Sequence, residues 1–187
     1  MPALRPIPRR IGSPRTSRGV QQAITLGTPA GVGITGGTNT VYKNGISRDG
    51  DVIKTRILID LTGLASSTTD LDIIGVAGGP AHLGRIVTAE SGIIIGGTIT
   101  CLEAPAGGVT SIDWYAATEG TGVFDGGIGS LTETVMHTAT GASTLGLVVP
   151  VVADSVAANS YIYAVGGAAG TAAAYTAGRF LVELVGY

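Results

Sequence analysis

Most of the side chains from which active sites are built are scarce in this chain. Its 187 residues include one cysteine, Cys101, and two histidines, His82 and His137. An internal disulfide is therefore impossible. With no C-x-x-C or H-x-x-x-H spacing, a zinc site would have to be gathered from scattered ligands. Charged residues make up 13% and aromatics 5%, which leaves few groups for acid–base work or base stacking. No uninterrupted apolar run reaches the roughly 18 residues of a spanning helix. Residues 1–22 have arginines but no apolar stretch behind them, so neither a Sec nor a twin-arginine signal fits despite Arg9 and Arg10. A soluble product made in the cytoplasm, with no membrane segment, is the expectation.

What the chain does have is apolar surface. Hydrophobic residues reach 44% and the mean hydropathy is +0.42, too apolar for a disordered chain. The length suits one domain, which at this size buries roughly 70% of its unfolded surface. With so little charge, a lone monomer would leave apolar area uncovered, so contacts between subunits and a homo-oligomer are expected. The 31 glycines point to many turns joining short strands.

The net charge of −2 hides a boundary. Residues 1–48 hold seven basic side chains and no acid, +7, while residues 49–187 hold all 13 acids against Lys54, Arg56, Arg85 and Arg179, −9. Pro2, Pro6, Pro8 and Pro14 crowd the start and favour extended backbone over helix. Residues 26–40 turn to glycine and threonine and read as a flexible connector, with one short strand before it at 23–26. The division is an extended basic arm over 1–38 and a β domain over 39–187. Fully extended at about 3.3 Å per residue, such an arm reaches roughly 125 Å, enough to touch a neighbour. Arg5, Arg9, Arg10, Arg15 and Arg18 are the candidate partner-binding residues, suited to carboxylates on an acidic protein surface, sibling copies included. Phosphates would suit them too, but the arm lacks aromatics and the domain behind it is acidic, so nucleic acid ranks second. The plainer alternative is a solvated tail.

Beyond the turn dipeptides Asn44-Gly45 and Asp49-Gly50 the pattern has period two. Ile53, Thr55, Ile57, Ile59 and Leu61 fall on one face and Lys54, Arg56 and Asp60 on the other, with Leu58 out of phase. Further strands are predicted at 71–76, 83–88, 93–102, 111–117, 131–138, 144–152, 160–165 and 180–186. Nine short strands with regular turns predict an all-β fold, a β-sandwich of jelly-roll type. Only 170–177, alanine-rich but broken by glycine, resembles a helix. The last strand runs to the end of the chain, so losing it should be damaging.

Each chemical motif in the chain also fits a plainer role. Gly31, Gly33 and Gly36 match G-x-G-x-x-G, with Asp51 near the ribose-binding distance, but no strand-then-helix context surrounds them. Ser91 lacks the nucleophile-elbow setting. Asp49 with Asp51, and Asp70 with Asp72, lie two apart and would share a face if extended. Solvated turn and edge acids account for them better than a calcium loop does. The histidines read as ordinary strand residues, Cys101 and Trp114 as core. No catalytic residue, cofactor, metal or small-molecule substrate is assigned, and an enzyme is the least supported class.

Three segments carry a resemblance: 57–75 (ILIDLTGLASSTTDLDIIG), 100–113 (TCLEAPAGGVTSID) and 175–187 (YTAGRFLVELVGY). They resemble virion structural proteins of tailed phages, particularly marine ones, of the kind that decorate or cement the capsid. The resemblance implies a β-sandwich decoration protein on the capsid surface, often trimeric, with an arm that clasps neighbouring major capsid subunits. The competing reading is a tail-fibre or knob adhesin binding host glycan, which exposed loop aromatics would favour, whereas Trp114, Tyr161 and Tyr163 look strand-borne. A major coat subunit is the third.

Overall fold

In the computed structural model of the chain, which describes residues 25–152, 155–170 and 172–187, strands follow one another with only single helical turns between them. In order come α1 (Val32–Thr35), β1 (Tyr42–Asp49), β2 (Val52–Asp60), β3 (Ala65–Ser66) and α2 (Thr88–Ser91). Then follow β4 (Ile94–Ala106), β5 (Ile112–Ala117), β6 (Glu133–His137), β7 (Val148–Val151), β8 (Tyr161–Gly166), β9 (Ala173–Ala174) and β10 (Ala177–Gly186). The fold is all-β, and every strand pair is antiparallel.

One sheet has the order β1-β2-β10-β4-β7, a second β6-β5-β8, and β3 and β9 form a short ribbon. The period-two pattern explains the first sheet. In β2, Ile53, Ile57 and Ile59 point inward, and in β10 Phe180, Val182 and Leu184 do the same, each at most 4% exposed. β-Branched and aromatic side chains pack well on such a pleated, half-buried surface. The two larger sheets share one core, where the Trp114 ring of β5 meets the Phe180 ring of β10 edge-on, 5.4 Å between centroids. As the sequence predicted, the C-terminal strand is fixed in the sheet, between β2 and β4.

Every residue of β5 is buried, and Tyr163 and Val165 of β8 are buried as well. Segments predicted as strands at 71–76 and 83–88 lie along the free edge of β8. Ile74 N–H donates to Ala164 O (3.0 Å), Leu83 N–H to Ile162 O (2.7 Å) and Ile86 N–H to Ser160 O (2.8 Å). They form isolated bridges and not continuous strands. The left-handed Leu71 (φ 62°) interrupts the first, and α2 takes the end of the second.

Several expectations need correcting. Asn44-Gly45 is not a turn. It lies within β1, an unforeseen strand, and the hairpin closes at Gly50 and Asp51, where Gly50 has the positive φ of 63° that a two-residue loop requires. The segment 170–177 holds β9 and the start of β10, not a helix. Residues 25 and 26 are not in a strand, and 23–24 lie outside the described residues.

The largest correction concerns 26–38, read above as flexible connector and part of the arm. Leu26 and Ile34 are 4% and 1% exposed and belong to the core. Leu26 N–H donates to Asn44 Oδ1 (3.0 Å), Gly31 N–H to His82 O (2.9 Å), Gly33 N–H to Pro80 O (2.7 Å), and Val76 N–H to Gly33 O (2.8 Å). Thr38 runs so close to Gly63 (φ 82°) that a Cβ there would overlap the Thr38 carbonyl. The physical reason is that glycine permits close backbone approach, so a stretch with linker-like composition serves here as a packed strap. Residues 26–38 thus pack with the β domain.

Candidate interaction surface

Outward side chains of the five-stranded sheet align into rows across the strands. The register places Lys43, Leu58, Leu181, Thr100 and Val148 in one row. On one side of it lies a charged row, Asp60, Arg179 and Glu103, and on the other Arg56, Glu183, Thr98 and Pro150. Arg179 Nη2 contacts Asp60 Oδ2 at 2.6 Å and Glu103 Oε2 at 3.8 Å, and Arg56 Nε contacts Glu183 Oε2 at 2.6 Å. Burial alone would raise the Asp60 carboxyl, but hydrogen bonds from Thr62 and Arg179 outweigh it and hold the group below the ordinary carboxylate range.

Among the described residues no second layer lies on this face. Leu58, Thr100, Leu181 and Val185 stay half-buried, and Val148 is 55% exposed. Ile95 at 53% and Leu145 at 73% exposure lie beyond the two ends of β7. An apolar centre between charge-paired rows has the anatomy of a protein-binding surface.

A cleft of about 170 Å³ opens between the sheets, floored by Cys101, Trp114 and Phe180 and covered by the loop 138–147. The buried Asp113 holds this loop, its Oδ1 accepting Ala139 N–H at 2.7 Å. Burial pushes the Asp113 carboxyl up and the His137 imidazole down, the second effect partly opposed by Asp113. The Cys101 thiol donates to Glu103 O (3.2 Å) and burial raises it, away from thiolate.

The five arginines assigned to partner binding, Arg5, Arg9, Arg10, Arg15 and Arg18, lie outside the described residues. Gly31 and Gly33 turn their amides to His82 and Pro80 carbonyls, so these donors are not free to cradle a phosphate. Ser91 is fully buried and accepts from Thr55 Oγ1 (2.9 Å). Asp49 ends β1 and Asp51 lies in the β1–β2 turn, and both are exposed. Asp70 and Asp72 do not share an extended face, because Leu71 is left-handed between them, and Asp72 is buried at 8% where a solvated acid was expected. His82 is buried beside the Tyr161 ring (4.8 Å), accepts Gly84 N–H at Nδ1, and burial lowers it. Unlike His137, which is in β6, it lies in no regular strand. Trp114 is core, and Tyr161 and Tyr163 are in β8. Burial pushes Tyr163 up to about 12.

Among the described residues no three His, Cys, Asp or Glu side chains gather as a metal site would, and no helix is long and apolar enough to cross a membrane. Leu181 and Val148 carried no sequence-level assignment. The available signal was the out-of-phase Leu58, an apolar residue on a polar face, repeated by Leu181 and Val185 in the last strand. Compared with known proteins, the chain matches no family model, no curated protein and no solved structure.

Proposed function

We propose that this chain is a structural subunit of a tailed-phage particle, which decorates and cements the capsid by binding major capsid subunits through its basic N-terminal arm. The observation that carries the reading is the uncovered outer face of the five-stranded sheet, an apolar row held between ion-paired rows. Such a face suits a protein whose work is contact. The charge split supports it, since the arginines of the first 24 residues are matched by a run from 86 to 178 with no lysine or arginine and seven acids. Many copies binding together would gain by avidity, each bound site raising the effective concentration at the next.

The fold we assign to it is a jelly-roll sandwich with an extended arm. Strands from opposite ends of the chain pair in succession: β2 with β10, the segment 71–76 with β8, β4 with β7, and β5 with β6. That is a long hairpin rolled up, its outer pair β2 and β10 beside β4 and β7, and its tip β5 and β6 beside β8 and 71–76.

Because Leu26 and Ile34 are core, the arm to remove is residues 1–24, not 1–38. A chain lacking 1–24 should fold and fail to cosediment with particles that bind the full chain, and undiminished cosedimentation would overturn the anchoring role. Counting copies per particle by electron microscopy separates the classes: hundreds fit decoration, whereas a handful would replace it with a fibre adhesin.

A further inference from the structure

We propose that the outer face of the five-stranded sheet is where two copies of this chain meet, related by a two-fold axis lying along the row Leu58, Leu181, Thr100 and Val148. The rows themselves give the axis. Outward residues alternate along each strand, so the neighbours of Leu58 on its face are Arg56 and Asp60, and those of Leu181 are Arg179 and Glu183. A two-fold axis along the central row lays β2 on β2 and β10 on β10 in opposite directions. It exchanges the two flanking rows. Arg179 then faces Glu183 of the second copy, and Arg56 faces its Asp60, a carboxylate 5% exposed and held by Thr62 and Arg179, so the charges across the axis are opposite, twice over by symmetry.

On the axis, Leu58, Leu181 and Val148 each face themselves, apolar on apolar. The one mismatch is Lys43, which faces its own copy at the rim, where an exposed long side chain can turn to water at little cost. The area is adequate: five strands about 4.8 Å apart and four outward rows about 6.8 Å apart cover roughly 600 Å², close to the ~800 Å² that each partner buries in a typical stable interface. Two twisted sheets packing face to face keep their strands within about 30° of alignment, which preserves these pairings near the axis. A two-fold axis along the strands, midway between β2 and β10, also sets Leu58 against Leu181, Arg56 against Glu183 and Asp60 against Arg179, but it leaves Val148 with no facing strand.

The contact does not depend on the particle-binding reading, because it is tested on the purified full chain alone and cosedimentation tests the other. By light scattering, the wild-type molar mass should rise with concentration from 18.6 kDa towards twice that value. Leu181→Glu and Leu181→Arg each place like charges against themselves across the axis and should each weaken association by at least about 100-fold. An equimolar mixture of the two should recover it. As a second variant, the exchange Arg56→Glu with Glu183→Arg keeps the ion pair within the chain but sets like charges against Asp60 and Arg179 of the other copy, and should also dissociate. Unchanged Trp114 emission and thermal unfolding would show that the variants fold. A wild type that stays monomeric or closes as a trimer, folded variants that keep the wild-type mass, or a mixture that fails to recover association each overturns the proposal.

Discussion

Replacing Ile34 by alanine asks whether the glycine-rich strap is part of the fold. Ile34 is 1% exposed and packs in the main core. The substitution removes three buried carbons, about 0.8 kcal/mol each in transfer terms, and leaves a cavity, so the loss should be about 3 kcal/mol. A flexible connector would give almost nothing, because an exposed isoleucine contributes little beyond a few tenths of a kcal/mol. Urea unfolding followed by the emission of Trp114, the sole tryptophan and itself 1% exposed, reads the difference. With a urea slope of about 2 kcal/mol per molar, the midpoint should fall by about 1.5 M. A midpoint within about 0.2 M of wild type would refute the docking of residues 26–38.

Two further outcomes follow from buried polar groups. Tyr175 is buried and its hydroxyl donates to Val109 O at 2.9 Å, so Tyr175→Phe should cost about 1–2 kcal/mol by leaving that carbonyl unpaired, measurable as a lower urea midpoint. His82 and His137 are both held below the ordinary histidine range by burial. The unfolded chain therefore binds protons more readily, and stability should fall as the pH drops below about 6.5 towards the lowered folded values. Urea midpoints taken between pH 7.5 and 5 check this, and His82→Gln should flatten the slope; an unchanged slope would remove His82 from the account.

Legibility varied with how each element buries itself. β2 and β10 have one buried and one open face, so alternation is written into their residues; β2 was predicted to within a residue at each end, and β10 without its first three residues. β5 is buried on both faces and carries Asp113 within it, so its strand was readable only as a short run between glycine turns. β1 was hidden because Asn44-Gly45 has the composition of a turn, yet Asn44 is engaged elsewhere, accepting Leu26 N–H and donating to Tyr42. For the interaction surface, only the misplaced Leu58 gave notice.

From the residues alone came the all-β character, the inward face of β2 and the charge boundary, because each depends on the spacing of side chains along a short stretch of chain. The tertiary structure decided which strands lie side by side. β2 pairs with β10 across more than a hundred residues, and that pairing sets Arg179 on Asp60, Glu183 beside Arg56, and Leu58 next to Leu181. It also turned a linker-like strap into core. Both outcomes depend on which surfaces remain to be covered once the sheets have met, a property of the whole packed chain and not of any local stretch.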